Sequence, residues 1–233
     1  MRTRSILALL AVSLAILGFL ALGVWQIERR AWKLDLIARV DARVAAAPVA
    51  APGPEDWAGI SAERDAYRRI RATGTFLSGK EVAVQAVTDL GAGYWVLAPL
   101  DTGAFTVLVN RGFVPAERRD PAARREVVGP VSVAGLLRVT EPGGGFLRAN
   151  DPGAGRWYSR DIAAIAAAEG LEGPVAPYFI DADATPNPGG LPVGGLTVIR
   201  FRNSHLSYAL TWFALAAGLA GAAIFVRLRA WPE

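Results

Sequence analysis

The chain has 233 residues, no cysteine, one histidine and one methionine, with 25 Lys+Arg against 21 Asp+Glu for a net charge of +4. These counts exclude a disulfide framework, thiolate zinc and iron–sulfur sites, CxxC redox chemistry, multi-histidine metal sites and a soft copper chaperone. They also argue against a basic nucleic-acid binder: Arg2, Arg4, Arg227 and Arg229 sit at the two ends, and residues 26–205 hold 21 basic and 20 acidic side chains.

Residues 6–25 come first, an uncharged run with 17 hydrophobic residues in 20. At about 1.5 Å per residue such a helix covers the roughly 30 Å hydrocarbon core. A cleaved signal peptide competes, because Arg2 and Arg4 precede the run and Ala21-Leu22-Gly23 loosely resembles a cleavage site. Signal cores span about 7–15 residues, so the run reads as a retained transmembrane helix. Residues 26–54 read as a juxtamembrane helix, with a partial stripe of Ile27, Leu34, Ile37 and Val44, followed by a Pro/Ala linker over 45–54.

Residues 55–205 read as an external domain. Strand-like runs cover 67–76, 81–87, 94–99, 105–110, 131–139, 178–181 and 197–201, and Asp101-Thr102-Gly103 has the composition of a hairpin turn. A short Ala-rich helix is expected over 160–169, with Ser159 or Asp161 as its start and Gly170 as its stop. Residues 206–226 form a second span, 17 hydrophobic in 21. The fold class is thus a membrane protein with two transmembrane helices flanking an external, mainly antiparallel β (α+β) domain. Arginines at both tips place the tails (1–5 and 227–233) in the cytoplasm and the main domain outside. Nothing Arg/Ser-rich and amphipathic precedes the first span, so a multi-pass protein of the bacterial inner membrane with a periplasmic domain is expected.

The Gly-rich stretches at 141–145 and 187–190 match neither GxxxxGK[ST] nor GxGxxG, which excludes nucleotide binding. The charges from Arg118 to Glu126 read as a solvated loop, with a partner-docking surface as the alternative. Ser159, His205 and several aspartates lack a GxSxG elbow, and Asp181 and Asp183 alternate at a strand end as exposed residues do, so no catalytic site is expected.

His205 opens the second span. At helical spacing His205, Tyr208, Ala209, Trp212 and Ala216 share one face, joining an imidazole, two aromatics and two small residues that leave room beside the helix. A flat macrocycle could lie there with imidazole nitrogen on its iron, and Arg200 and Arg202 above could meet its propionates. Interfacial anchoring by Tyr and Trp explains the same pattern. A second face carries Ala214, Gly218 and Ala222, four residues apart, a surface for close approach of the first span near Gly18.

The order of these motifs resembles the Surfeit-locus-one family, the assembly factors for cytochrome c oxidase. The likeness is carried by residues 23–37 (GVWQIERRAWKLDLI), Tyr67-Arg68, Gly74-Thr75-Phe76, residues 109–115 (VNRGFVP), Trp157-Tyr158, residues 177–181 (PYFID) and the His205 segment. Phe113 departs from the tryptophan usual after Asn-Arg-Gly, which removes an indole N–H donor. The resemblance implies a non-enzymatic factor that transiently binds heme a and helps place it in oxidase subunit I. His205 is then the axial ligand, with Tyr208 and Trp212 packing the macrocycle and Arg200 or Arg202 meeting propionates. Trp25, Arg29 and Lys33 would complete the site from the first span, although anchoring at the membrane boundary explains them equally well. Implied partners are subunit I, the heme a synthesis machinery and the lipid bilayer, with no nucleic acid. The alternatives are a membrane-anchored scaffold that stabilises subunit I without carrying heme and, from another class, an enzyme of heme modification.

Overall fold

The computed structural model describes residues 3–145 and 147–229, so Arg2 and the side chain of Arg4, two of the four arginines expected to place the tails in the cytoplasm, lie outside the described residues. The chain divides into two units, Met1–Arg39 with Ile199–Glu233, and Val40–Val198.

The first unit is a helix pair. Helix α1 (Thr3–Ala45) begins with the apolar run and continues without a break past Trp25, because residues 26–45 contain neither Gly nor Pro. The last helix of the chain covers His205–Arg229. Both helices are long and apolar enough to cross a membrane. Of their apolar 18-residue windows only 6% and 11% is buried, whereas the core helix of a soluble protein is mostly buried.

The second unit, entered through the end of α1, is a β domain. Strand β1 (Val49–Ala50) pairs parallel with β2 (Arg69–Phe76), so the expected Pro/Ala linker is instead pinned to the sheet. Its prolines flank the two paired residues and leave their ladder donors intact. Helix α2 (Ala62–Asp65) separates β1 from β2 and is capped by Ser61, whose hydroxyl accepts from Arg64 N–H. There follow β3 (Val82–Thr88), β4 (Gly91–Asp101), β5 (Thr106–Pro115), β6 (Pro130–Val139), helix α3 (Ile162–Ala168) and β7 (Val175–Ala182). The helix His205–Arg229 is α4. The hairpin expected at Asp101 joins β4 to β5, with Asp101 Oδ1 accepting from Gly103 N–H at 2.8 Å. Residues 197–201 form no strand, and Thr197 instead donates its hydroxyl to Asp181 Oδ2 at 3.1 Å.

The strand order is β1-β2-β6-β7-β5-β4-β3, and the pairing of Thr75 with Asp101 and Phe76 with Leu100 joins β2 to β4. Five strands, β2-β6-β7-β5-β4, therefore close into a small barrel, with β1 and β3 flanking it. All pairings are antiparallel except β1–β2 and β5–β7.

Side-chain alternation explains the burial of β5 on both faces. Val107 and Val109 point into the barrel core with Ile70, Leu100, Leu137, Tyr178 and Ile180. Leu108 points outward, where Phe179, Val84 and Trp157 meet Ile162 and Ile165 of α3. Each large side chain fully buried in this way contributes about 1.5–3 kcal/mol. Helix α3 starts at Asp161, whose carboxylate accepts from Ala164 N–H, and is followed by Gly170 at φ +55°.

Opposite β5, the β4 register shifts between Val96 and Leu97, and Gly112 takes φ +134°. A Cβ there would stand 2.2 Å from Val193 O, so the close strand-like approach of Val193 to Phe113 requires glycine.

A candidate ligand site on the helix pair

Four contacts fix the pairing of α1 with the C-terminal segment. Phe19 stacks on Trp212 at 5.7 Å, Gly23 lies under the ring of Phe213, Gln26 bonds His205, and Lys33 Nζ sits 5.1 Å from the ring of Phe201. Phe19 and Gly23 meet Trp212 and Phe213, whereas Gln26 and Lys33 further along α1 meet His205 and Phe201, so the two segments run antiparallel.

His205 is the first residue of α4 and is half-buried. Its Nδ1 lies 2.7 Å from Gln26 Oε1. An amide oxygen has no proton to give, so Nδ1 carries the proton and donates. In the neutral ring the lone pair is then on Nε2, to which no described residue bonds. The site therefore offers one imidazole nitrogen in the form that binds iron, with a side-chain oxygen behind the ring as metal-ligating histidines commonly have.

The other expected site residues fall in different places. Trp212 is half-buried against Phe19, its ring inclined 24° to the partner ring. Tyr208 is 56% exposed and lies off the packed face. Ala209 and Ala216 are buried, 0% and 3% exposed, so the room expected beside them is closed. Trp25, next to Gln26, is 52% exposed, and Arg29 places its guanidinium 4.0 Å above the ring of Trp32. Arg200 and Arg202 are exposed, without a hydrogen bond or ion pair among the described residues. The second small-residue face also differs from expectation. Ala214, Gly218 and Ala222 are exposed, and a Cβ added at Gly18 or Gly218 would meet nothing within 4 Å. The small residues that are buried instead are Gly23, Ala209 and Ala216, with Gly23 under the ring of Phe213.

Gln26 was assigned no role from the sequence. Its signal was available, since it is the first polar residue after the 20-residue uncharged run and stands between Trp25 and the charged part of α1.

The β domain carries two buried ionic clusters. Asp181 is 3% exposed, contrary to its reading as a surface residue. It accepts from Asn110, Arg138, Arg160 and Thr197, while Glu141 bonds the same two guanidiniums. Two carboxylates thus balance two arginines at the junction of β5, β6 and β7. The second cluster departs from the solvated-loop reading of residues 118–126 at Arg124, while Arg118, Arg119, Asp120, Arg125 and Glu126 are exposed as expected. Glu81 bridges Arg111 at 2.5 Å and Arg124 at 2.6 Å, and these guanidinium side chains are 6% and 4% exposed. Arg124 also donates to the carbonyls of Arg118, Arg119 and Asp120 and so folds the loop back on itself. Beside this cluster a pocket of about 320 Å³ is lined by Phe76, Ser78, Arg125 and Glu126 among others. Among the described residues no cluster of three or more His, Asp or Glu could hold a metal ion.

The architecture and site define a class: a small closed β barrel between two apolar helices, with a single polarised imidazole where the second helix begins. The comparisons with known proteins then fix the family. The SURF1 family matches residues 13–217. Surfeit locus protein 1 of Rattus norvegicus is 36% identical over 217 residues, covering 84% of this chain and 68% of the relative. The Homo sapiens protein of the same name is 34% identical with 84% and 69% covered. The SURF1-like protein of Monosiga brevicollis is 37% identical over 239 residues, covering 94% and 86%. The chain belongs to the SURF1 family. Phe113 is packed in the β domain, 2% exposed, and its ring meets Trp95 edge to face at 6.0 Å.

Proposed function

We propose that this protein is an assembly factor for cytochrome c oxidase, anchored by α1 and α4 in the bacterial inner membrane with both termini cytoplasmic and the β domain periplasmic. It holds heme a transiently on His205 and passes it to oxidase subunit I. The observation that carries this reading is the Gln26–His205 bond, which leaves Nε2 of the chain's one histidine free for iron at the start of an apolar helix. Membership of the SURF1 family supports the assembly role.

Heme a is cargo here, and the donor set suits a carrier. One axial nitrogen holds the iron while the opposite coordination position stays open to a receiving ligand. The apolar flanks of α1 and α4 accept the macrocycle's hydrophobic edge, and Tyr208 and Trp25 are exposed and available to pack on it. Arg29, Arg200 and Arg202 supply cations for propionates. Trp212 contributes indirectly, by holding α4 against Phe19 so that His205 stays in register with Gln26. The heme a synthesis machinery is the proposed donor, and the protein itself catalyses no step.

A scaffold for subunit I that never carries heme is the second reading, favoured by the burial of Ala209 and Ala216, which closes the face on which a macrocycle was expected to lie. Deleting the gene in its host and measuring heme a and subunit I in isolated oxidase separates the two. Subunit I present but lacking heme a supports delivery; normal heme occupancy with reduced subunit levels supports the scaffold and overturns delivery.

A further inference from the structure

We infer that Gln26 is a positioning residue for the heme site: its amide oxygen holds His205 in the Nδ1–H tautomer and so presents Nε2 as the iron ligand. This deepens the heme reading above and rests on it. A neutral imidazole without a partner at Nδ1 is under no constraint to keep its proton there, and a proton on Nε2 blocks ligation. The oxygen 2.7 Å from Nδ1 removes that freedom, because only a protonated Nδ1 satisfies both atoms. The partners lie 179 residues apart on two helices, so the bond also fixes the ring relative to α1.

Two further features fit this role. Gly23, one turn before Gln26, leaves room for the Phe213 ring against α1, since a Cβ at Gly23 would collide with it. The acceptor is also neutral. A carboxylate behind the ring raises the basicity of the ligand and strengthens its hold on a metal. It would also add a charge beside an apolar span, where ionisation is costly. A carrier must release its cargo, and an amide oxygen orients the imidazole without adding that hold.

The chain has one histidine, so ¹⁵N-labelled histidine gives the signals of this ring alone in the full-length protein in detergent. In the heme-free wild type the expected result is a protonated Nδ1 and an unprotonated Nε2. Gln26→Leu removes the acceptor and is expected to return the ring to a tautomer mixture, and to release bound heme a to apomyoglobin about tenfold faster or more. Gln26→Glu keeps an acceptor oxygen; it should keep the Nδ1–H signal and release heme a more slowly than wild type. A wild-type ring protonated on Nε2 overturns the inference, and this measurement needs no variant to fold. A wild-type tautomer and release rate in Gln26→Leu also overturn it. His205→Ala separates the two levels. If that variant loses heme a while Gln26→Leu does not, the inference fails and the heme reading stands; if His205→Ala keeps heme a, both fall.

Discussion

Gly23 lies directly beneath the ring of Phe213, with the position of an added Cβ only 2.4 Å from Phe213 Cε1. Along α1 Gly23 lies between Phe19, which stacks on Trp212, and Gln26, which bonds His205. Gly23→Val is therefore expected to push the helices apart and destabilise the pair by about 1–3 kcal/mol. Denaturant titration of the full chain in detergent measures this. Gly18→Val is the control, because nothing lies within 4 Å of its Cβ position; equal effects at the two glycines would contradict the packing.

In the β domain Asp181 is the acceptor that makes two partly buried guanidiniums tolerable. Asp181→Ala leaves Arg138 and Arg160 sharing Glu141 alone and leaves Asn110 Nδ2 without this acceptor. A loss of about 3–5 kcal/mol is expected, mostly as the cost of uncompensated buried charge. A loss below about 1 kcal/mol would show that solvent reaches the cluster.

Glu81, unlike the balanced Asp181 cluster, is one carboxylate between two guanidiniums. Glu81→Gln should free the 118–126 loop, which Arg124 anchors through Glu81 and three backbone carbonyls. Limited proteolysis should then cut within that loop at protease levels that leave the wild type intact. Unchanged cleavage would contradict the anchoring.

Tyr178 predicts the alkaline limit of the domain. Its ring is fully buried and its hydroxyl donates to Pro52 O at 2.7 Å. Burial raises the phenol above its usual range. An unfolded tyrosine ionises near pH 10 while the folded one stays protonated, so the unfolded state holds fewer protons above that pH and stability falls as pH rises. The slope from this one group is about 1.4 kcal/mol per pH unit. Tyr178→Phe should lose about 1 kcal/mol at neutral pH, for the missing hydrogen bond, and flatten the decline above pH 10. A slope unchanged by Tyr178→Phe would contradict the assignment.

The elements most readable from sequence are those in which a local pattern decides the structure. Residues 6–25 and 206–226 lie inside α1 and α4, and the alternation in 131–139 and the turn at Asp101 lie where strands and a hairpin form. Burial that depends on distant partners was not legible. Asp181 and Arg124 look like surface charges by composition, and only the meeting of β5, β6 and β7, or the return of the 118–126 loop to Glu81, removes them from water. The two-residue strand β1 had no signal among prolines and alanines. At the candidate site the sequence singles out His205 but not its partner Gln26, 179 residues away on the other helix. Both small-residue stripes of α4 suit helix packing, and the partner's Gly23 and Phe19 decide which one is used. Tyr208, placed on the His205 face by helical spacing, falls at the margin of that stripe and is 56% exposed.

The central claim is that His205 ligates heme a. Full-length protein purified with heme a available should carry heme with the visible spectrum of a histidine-ligated species. His205→Ala should lose that spectrum and most of its heme while keeping the circular dichroism of the wild type. Heme content and spectrum unchanged in His205→Ala would contradict the account.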